Sequence, residues 1–520
     1  MKKIIIFLVV LLLGIFTSCK NSLSGKITIA DGKEPFALNQ DMVSRLAALA
    51  VTGNCKLDEQ QIEDNVLSAL SALSENGNER AAVTVKEFSL SAPKVATLKA
   101  PATFGKTERS ANIQDFDDIN IYLYSTNEGK ANEGWVLASN DRRVGTIIAV
   151  ADGKFPEAED EEENPFMDIF YAGLENHILE TVYTWNSLTE EDIRAVSANA
   201  EYVTSETYKY DTWYIEDQHR LQYIDHFGWN QFEPFCDAIR DLKGNNLYVT
   251  GCGPTVLAQI FAYYEWPERC SEKQYKELKQ KWSPAKYWDG VYDWSEMQFG
   301  HNIGNSYNEL SDDEKENFDL NAGALLYDIG ANCNAVYKVS ISSNGQEKGS
   351  TSINIDKAKT ALNYYGYLSD PVYSYSNYND FYRKVVESIN NRCPLYVRGN
   401  AIKKGTEYES GHAWLVCGYA RMSCDVMKKS TNTFVARIED DFFYCNPGWA
   451  EKYNGYYLAG IFDFSLGDCI VDLMELSSAE GDWYIRKKIE QHERSVVTEG
   501  KNKYYQYRIK MIPNIRPEDY

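Results

Sequence analysis

Thr250-Gly251-Cys252-Gly253-Pro254-Thr255, continuing into Val256-Leu257-Ala258-Gln259-Ile260-Phe261-Ala262-Tyr263-Tyr264, is the stretch on which the reading of this chain turns. Two glycines bracket a cysteine, and a proline stands where a helix would begin. Proline in a first helical turn gives up no hydrogen bond it would otherwise make. Val256, Ile260 and Tyr263 or Tyr264 then recur at helical spacing, which predicts a largely buried helix with Cys252 at its positive end. A thiol at a helix N-terminus is biased toward thiolate, the reactive form. Taken alone, the same cysteine also reads as a small apolar residue in a turn, so its partners must decide.

Those partners lie downstream. Leu395-Tyr396-Val397-Arg398-Gly399 and Gly411-His412-Ala413-Trp414-Leu415-Val416-Cys417-Gly418-Tyr419 read as neighbouring strands, and residues 434–438 and 441–446 read as two more. His412 therefore opens a strand directly after Gly411, and Asn446 closes one just before Pro447-Gly448-Trp449. Cysteine at a helix start, histidine on a strand and asparagine at a later strand end form a Cys-His-Asn set. In such a set the histidine takes the thiol proton and returns it to the leaving amine, while the asparagine holds the ring tautomer. Upstream, in Trp229-Asn230-Gln231-Phe232-Glu233-Pro234-Phe235, Gln231 reads either as a turn residue or as an amide donor to an oxyanion. Residues 321–330 and 358–367 read as buried helices, and 291–297 as a short aromatic connection.

Composition narrows the classes. With 520 residues, two or three domains are expected. A 44% hydrophobic and 13% aromatic content supports packed cores. The formal net charge of −23 argues against nucleic acid as a partner, since phosphate binding needs a basic face. Eleven cysteines are scattered without a CxxC pair, and six histidines accompany them, which argues against a zinc cluster. No metal or other cofactor is implied. Reducing conditions would keep the thiol free.

Met1-Lys2-Lys3, the apolar run Ile4 to Phe16 and Thr17-Ser18-Cys19 have the layout of an export signal. The apolar part is short for a membrane span. The small pair before Cys19 resembles a bacterial lipobox, which implies lipidation of Cys19, with membrane attachment through that lipid alone. The expected location is the bacterial envelope, at the outer membrane, with release after processing as a variant. Beyond a tether at 19–40, residues 41–74 read as one or two helices, 86–90 and 119–123 as strands, 134–155 as a hairpin and 166–182 as a helix. The acidic run 157–163 reads as a solvated loop, and His177 as a helix-surface residue. Residues 189–211 are polar and loosely patterned, and a domain boundary is placed there.

With these residues in place, the chain resembles the streptopain-like cysteine peptidases of the papain superfamily. The resemblance runs through Trp229-Asn230-Gln231 with Pro234, Gly251-Cys252 with Thr255, Tyr292-Asp293-Trp294, Gly411-His412-Ala413, Asn446 with Gly448-Trp449, Asn454-Gly455-Tyr456-Tyr457, and Ile515-Arg516-Pro517. It implies an α+β, papain-like catalytic domain over 212–518, with an inhibitory propeptide at 41–188, a signal at 1–18 and activation within 189–211. It also implies Cys252 as nucleophile, His412 as base, Asn446 as the orienting residue, and Gln231 with the Cys252 backbone N–H as oxyanion hole. Gly251, Gly411 and Trp449 support them. Implied partners are protein or peptide substrates, with a hydrophobic side chain two positions before the scissile bond, and the propeptide as intramolecular inhibitor. The chain departs from the family pattern at Pro447, where a tryptophan is usual, and at Ala450-Glu451, Cys417 and Gly253-Pro254. A catalytically silent relative that binds peptides or proteins in the envelope remains the alternative. A transglutaminase-like Cys-His-Asp enzyme is disfavoured by asparagine at 446.

Overall fold

A computed structural model describes residues 40–52, 55–75, 88–99, 119–130, 132–155, 165–196, 208–210, 213–222, 224, 228–297, 310–341, 347–375, 378–403, 409–450, 452–463, 469–470, 475–478 and 504–520. The signal, the tether through residue 39 with Cys19, and the acidic run 157–163 lie outside them.

The N-terminal third forms as its periodicities suggest. Helices α1 (Gln40–Thr52) and α2 (Glu59–Glu75) bury Leu46, Leu49, Ile62 and Val66. They are followed by β1 (Lys94–Lys99), β2 (Asn120–Thr126), and the expected hairpin of β3 (Gly134–Ser139) and β4 (Ile147–Asp152). Of the strand read at 86–90, only 88–90 is described, and Leu90 makes a single bridge to Thr126. Helix α3 (Pro165–Ser187) sends Phe166, Phe170, Leu174 and Ile178, four apart, into the core. His177 on this helix is buried, contrary to the surface position expected. Its Nε2 lies 2.8 Å from the Val144 carbonyl, and a Cβ on Gly460 would fall 2.9 Å from its ring. The helix face assigned to solvent is covered because α3 docks on the turn Ala459–Phe462.

The region read as a featureless linker carries structure. Helix α4 (Glu190–Val196) has no buried residue and is started by Thr189, whose hydroxyl donates to the Asp192 carboxylate at 2.6 Å. Strands β5 (Tyr208–Tyr210) and β6 (Tyr214–Arg220) then join the main sheet.

The remainder opens with a helical part: α5 (Asp237–Lys243), α6 (Cys252–Tyr264), α7 (Glu272–Lys281), α8 (Trp294–Met297) and α9 (Asp312–Asn332). Helix α9 is longer than the 321–330 expected because Ser311 and Glu314 form a capping box ahead of it. The small hairpin of β7 (Val336–Ile341) and β8 (Glu347–Ser352) precedes α10 (Ile355–Tyr364). Helix α10 ends before Tyr367, since Gly366 turns the chain at φ 78° into β9 (Tyr367–Leu368). After β10 (Tyr373–Ser374) and α11 (Tyr378–Asn390) come the long strands β11 (Leu395–Lys403), β12 (Glu409–Lys428) and β13 (Thr433–Asn446). The two strands read at 434–438 and 441–446 are one. Strands β14 (Gly455–Leu458), β15 (Cys469–Ile470), β16 (Glu475–Ser478), β17 (Tyr504–Ile512) and β18 (Arg516–Pro517) complete the described chain.

One antiparallel sheet organises these elements, in the order β10-β17-β11-β12-β13-β14-β4-β3-β2-β1-β16. Strands β5 and β6 add to β12, and β15 adds to β17. The α+β class expected is the class observed. The sheet is continuous across the boundary placed at 189–211, since β14 of the C-terminal part pairs with β4 of the N-terminal part, Tyr456 opposite Val150.

Candidate active site

Helix α6 runs through the core with Gly253 to Ala262 all buried. Its start is set by Gly251, at φ 86° and ψ 148°. That conformation is open to glycine and costly for other residues. A Cβ at Gly251 would also fall 2.7 Å from the Thr351 Cβ on β8, so conformation and close approach both require glycine here. Thr255 closes the turn, its hydroxyl donating to the Gly251 carbonyl at 3.0 Å. Cys252 thus occupies the first helical position, half-buried. The first N–H groups of a helix have no intrahelical acceptor, so the Cys252 N–H is a donor of the kind an oxyanion needs.

His412 stands on β12, buried, opposite Gly399 of β11. The next residue, Ala413, donates its N–H to Cys252 Sγ at 3.3 Å. The strand and the helix start are therefore in direct contact, and the cysteine and histidine singled out in the sequence are brought together. Burial by itself would raise the Cys252 thiol. The attraction and hydrogen bond from His412, the charge of Arg398 and the Ala413 N–H outweigh it and bring the pKa from 9.0 down to about 7. Elsewhere burial prevails: it pushes the Cys55, Cys236 and Cys333 thiols up to about 12. None of the nine cysteines whose side chains are described forms a disulfide. Among the described residues no group of three or more His, Cys, Asp or Glu is arranged to hold a metal ion.

Asn446, expected to orient the histidine ring, has the described contacts of its oxygen in and behind the turn that follows it, while a main-chain carbonyl faces the ring. His412 Nε2 lies 2.9 Å from the main-chain carbonyl of Pro447. The Asn446 Oδ1 instead accepts from the Gly448 N–H at 2.9 Å and from Gln259 Nε2 at 3.2 Å. The first of these is an asparagine turn, bonding the side chain to the backbone two residues on. It bends the chain at Gly448, φ 75°, where a Cβ would come within 3.2 Å of Thr255 Cγ2. The bend leaves the intervening carbonyl of Pro447 facing the histidine. A carbonyl only accepts, so Nε2 carries the proton and Nδ1 is left as the base.

Gln231 is half-buried and tied to the cysteine stretch by its backbone, its carbonyl accepting the Thr250 N–H at 3.1 Å. Trp449 is half-buried, with its ring centroid 6.0 Å from that of Phe232. Gly411 is half-buried on β12, opposite Asn400. Three contributors escaped the sequence reading as site residues: Gln259, which is fully buried two turns along α6, Pro447 through its carbonyl, and Phe166. The Phe166 ring, at the start of α3, lies 6.3 Å from the His412 ring and 5.6 Å from that of Trp414. Polar character at a fully buried helix position was the one available signal for Gln259. Nothing local marks the other two.

Residues 229–457 match the sequence model of the Peptidase C10 family. No curated protein matches the chain. Among solved structures, a prointerpain A fragment from Prevotella intermedia is similar over 66% of this chain and 90% of its own, at 15% identity and a TM-score of 0.39. The active wild-type interpain A cysteine protease of the same organism is similar over 47% of this chain and 87% of its own, at 17% identity and a TM-score of 0.30.

Proposed function

We propose, from the match of residues 229–457 to the Peptidase C10 family model, that the chain is a cysteine endopeptidase made as a zymogen. The observation that carries this is the contact between Cys252 and the His412 segment, with a thiol brought down to about 7 while burial raises others. His412 Nδ1 takes the Cys252 proton, and the thiolate attacks the scissile carbonyl carbon, forming a C–S bond. The resulting oxyanion is met by the Cys252 N–H and the Gln231 amide. The tetrahedral intermediate collapses, the C–N bond breaks, and the histidine proton leaves on the amine. Water, deprotonated by His412, then attacks the thioester, breaks the C–S bond and releases the carboxylate product. Asn446 and Gln259 act on the turn that presents the Pro447 carbonyl.

The N-terminal part acts as inhibitor in this reading. Its support is the Phe166 ring against His412 and the pairing of β4 with β14. Cleavage within 189–211 would separate the parts. The sequence around Cys19 supports export and lipid anchoring in the envelope, checked by whether Cys19→Ala leaves the membrane fraction. On incubation under reducing conditions the purified full-length protein is expected to lose an N-terminal fragment of propeptide size, and Cys252→Ala to stop that loss. Full-length protein persisting unchanged in both would overturn the zymogen reading.

A further inference from the structure

Along α3 four polar residues form one stripe, His177, Glu180, Thr181 and Thr184, spaced three and four apart as neighbours on a helix face are. All four are buried, and His177 Nδ1, Glu180 Oε2, Thr181 Oγ1 and Thr184 Oγ1 have no hydrogen-bond partner. Buried polar atoms are ordinarily paired, so a stripe of four calls for a partner that the protein's own side chains do not supply. His177 and Thr181 line a cavity of about 440 Å³ between the N-terminal and C-terminal parts, a size that suits a small molecule. His177 Nε2 faces the Val144 carbonyl at 2.8 Å. A carbonyl only accepts, so Nε2 holds the proton and Nδ1 presents a lone pair.

The rest of the wall sets the chemistry of that partner. Its four arginines already donate elsewhere: Arg45 to Asp440 and to the Arg142 and Arg143 carbonyls, Arg143 to Asp141, Arg421 to Asp441, and Arg437 to Asp425 and Glu216. An anion would find these donors engaged. The carboxylates of Asp440 and Asp463, both buried, line the same cavity and act on the His177 ring. Together with His177 Nδ1 and the Thr181 hydroxyl they make a wall of acceptors, which favours a cation. Among the described residues no three His, Cys, Asp or Glu are arranged to hold a metal ion, so the fitting cation is organic. Met42, Ala48, Val196 and Leu458 add apolar surface, suited to methylene groups. We infer that this cavity is a binding site for an aliphatic amine, its ammonium held by His177 Nδ1, the Thr181 hydroxyl and the Asp440 and Asp463 carboxylates. Helices α1, α3 and α4 form one side of the cavity, and β13, β14 and the 459–463 turn form the other, so the bound amine touches both parts and opposes their separation. Binding stands apart from the peptidase reading, since it needs neither cleavage nor Cys252.

The test uses the full-length protein as Cys252→Ala, so that the chain stays in one piece, titrated by calorimetry with 1,5-diaminopentane. Pentane-1,5-diol and glutarate, of the same chain length, test for charge and its sign. The diamine is expected to bind saturably, one per chain and on the order of tenfold tighter than the diol, as charge-assisted bonds would give, with no binding of glutarate. Thr181→Val, which removes the hydroxyl at nearly constant shape, should weaken the diamine about tenfold. Ala48→Leu, which fills the cavity, should abolish its binding. With the cavity unsubstituted, the midpoint of thermal unfolding should rise with diamine concentration, a readout that depends on no cavity variant folding. No saturable binding of the diamine, equal binding of the diol or glutarate, or binding unchanged in both Thr181→Val and Ala48→Leu would overturn the proposal.

Discussion

At Cys252 the balance is between burial, which favours the neutral thiol, and three groups that favour the anion: His412, Arg398 and the Ala413 N–H. Arg398 on β11 and His412 on β12 pull in the same direction. With the pKa near 7, the rate of iodoacetamide alkylation at Cys252 should rise through a midpoint at about pH 7. In the His412→Ala variant that midpoint should move upward, because the burial penalty stays and the largest opposing group is gone. The same measurement on Gln259→Ala should leave the midpoint in place while turnover falls, since Gln259 reaches the histidine only through Asn446 and the Pro447 turn. Cys252 and His412 were legible in the sequence because each follows a glycine and precedes a patterned apolar segment, although β12 begins at Glu409 and His412 lies inside it. The role of Asn446 was not, because which partner an amide takes depends on how the following turn bends. The Gly448 N–H and Gln259 claim its oxygen, and the backbone carbonyl at 447 takes the histidine.

Among the elements, α6 was the most legible. Its apolar period, its proline and its glycine all agree, and the helix begins at Cys252 as predicted. The close packing around that start was not legible, because it comes from β8 and the residue after it, far along the chain, with Thr351 against Gly251 and Ile353 against Gly253. Gly251→Ala adds both a forced positive φ and a collision with Thr351. The expected cost is about 1–3 kcal/mol from the backbone conformation alone, read as a lower midpoint in denaturant with loss of Cys252 labelling. Gly129→Ala makes a control, since it shares a positive φ but meets nothing within 4 Å, and should cost only the conformational part. The linker shows little pattern in the sequence because α4 puts only Ile193 and Val196 against the core, too few for an apolar period, while β5 is three residues long.

Across the whole molecule, the two parts placed on either side of a boundary share one sheet and one core. Sequence periodicity marks elements but carries no sign of which edge strand meets which, so the pairing of β4 with β14 had to come from the structure. The joint between the parts is sealed by α3, where burial holds the His177 pKa down to about 4. Asp440, Asp463 and Arg45 also act on this ring, and Glu180, raised by burial and by Asp463, titrates with the opposite sign. The histidine's contribution is therefore read as a difference between wild-type and His177→Gln. Between pH 6.5 and about 4 the unfolded chain takes up a proton that the folded chain refuses, so wild-type stability should fall relative to the variant as the pH drops. The slope approaches 1.4 kcal/mol per pH unit, measured by denaturant unfolding across that range. Phe166, from the same helix, brings the N-terminal part to the histidine of the site, and the chemistry beneath it depends on one thiol. The most direct measurement is labelling of the reduced protein, after removal of the N-terminal part, with a thiol-reactive epoxide, followed by mass spectrometry. A single adduct on Cys252, abolished in Cys252→Ala and strongly slowed in His412→Ala, is the expected result. No adduct, or one placed on another cysteine and unchanged in Cys252→Ala, would contradict it.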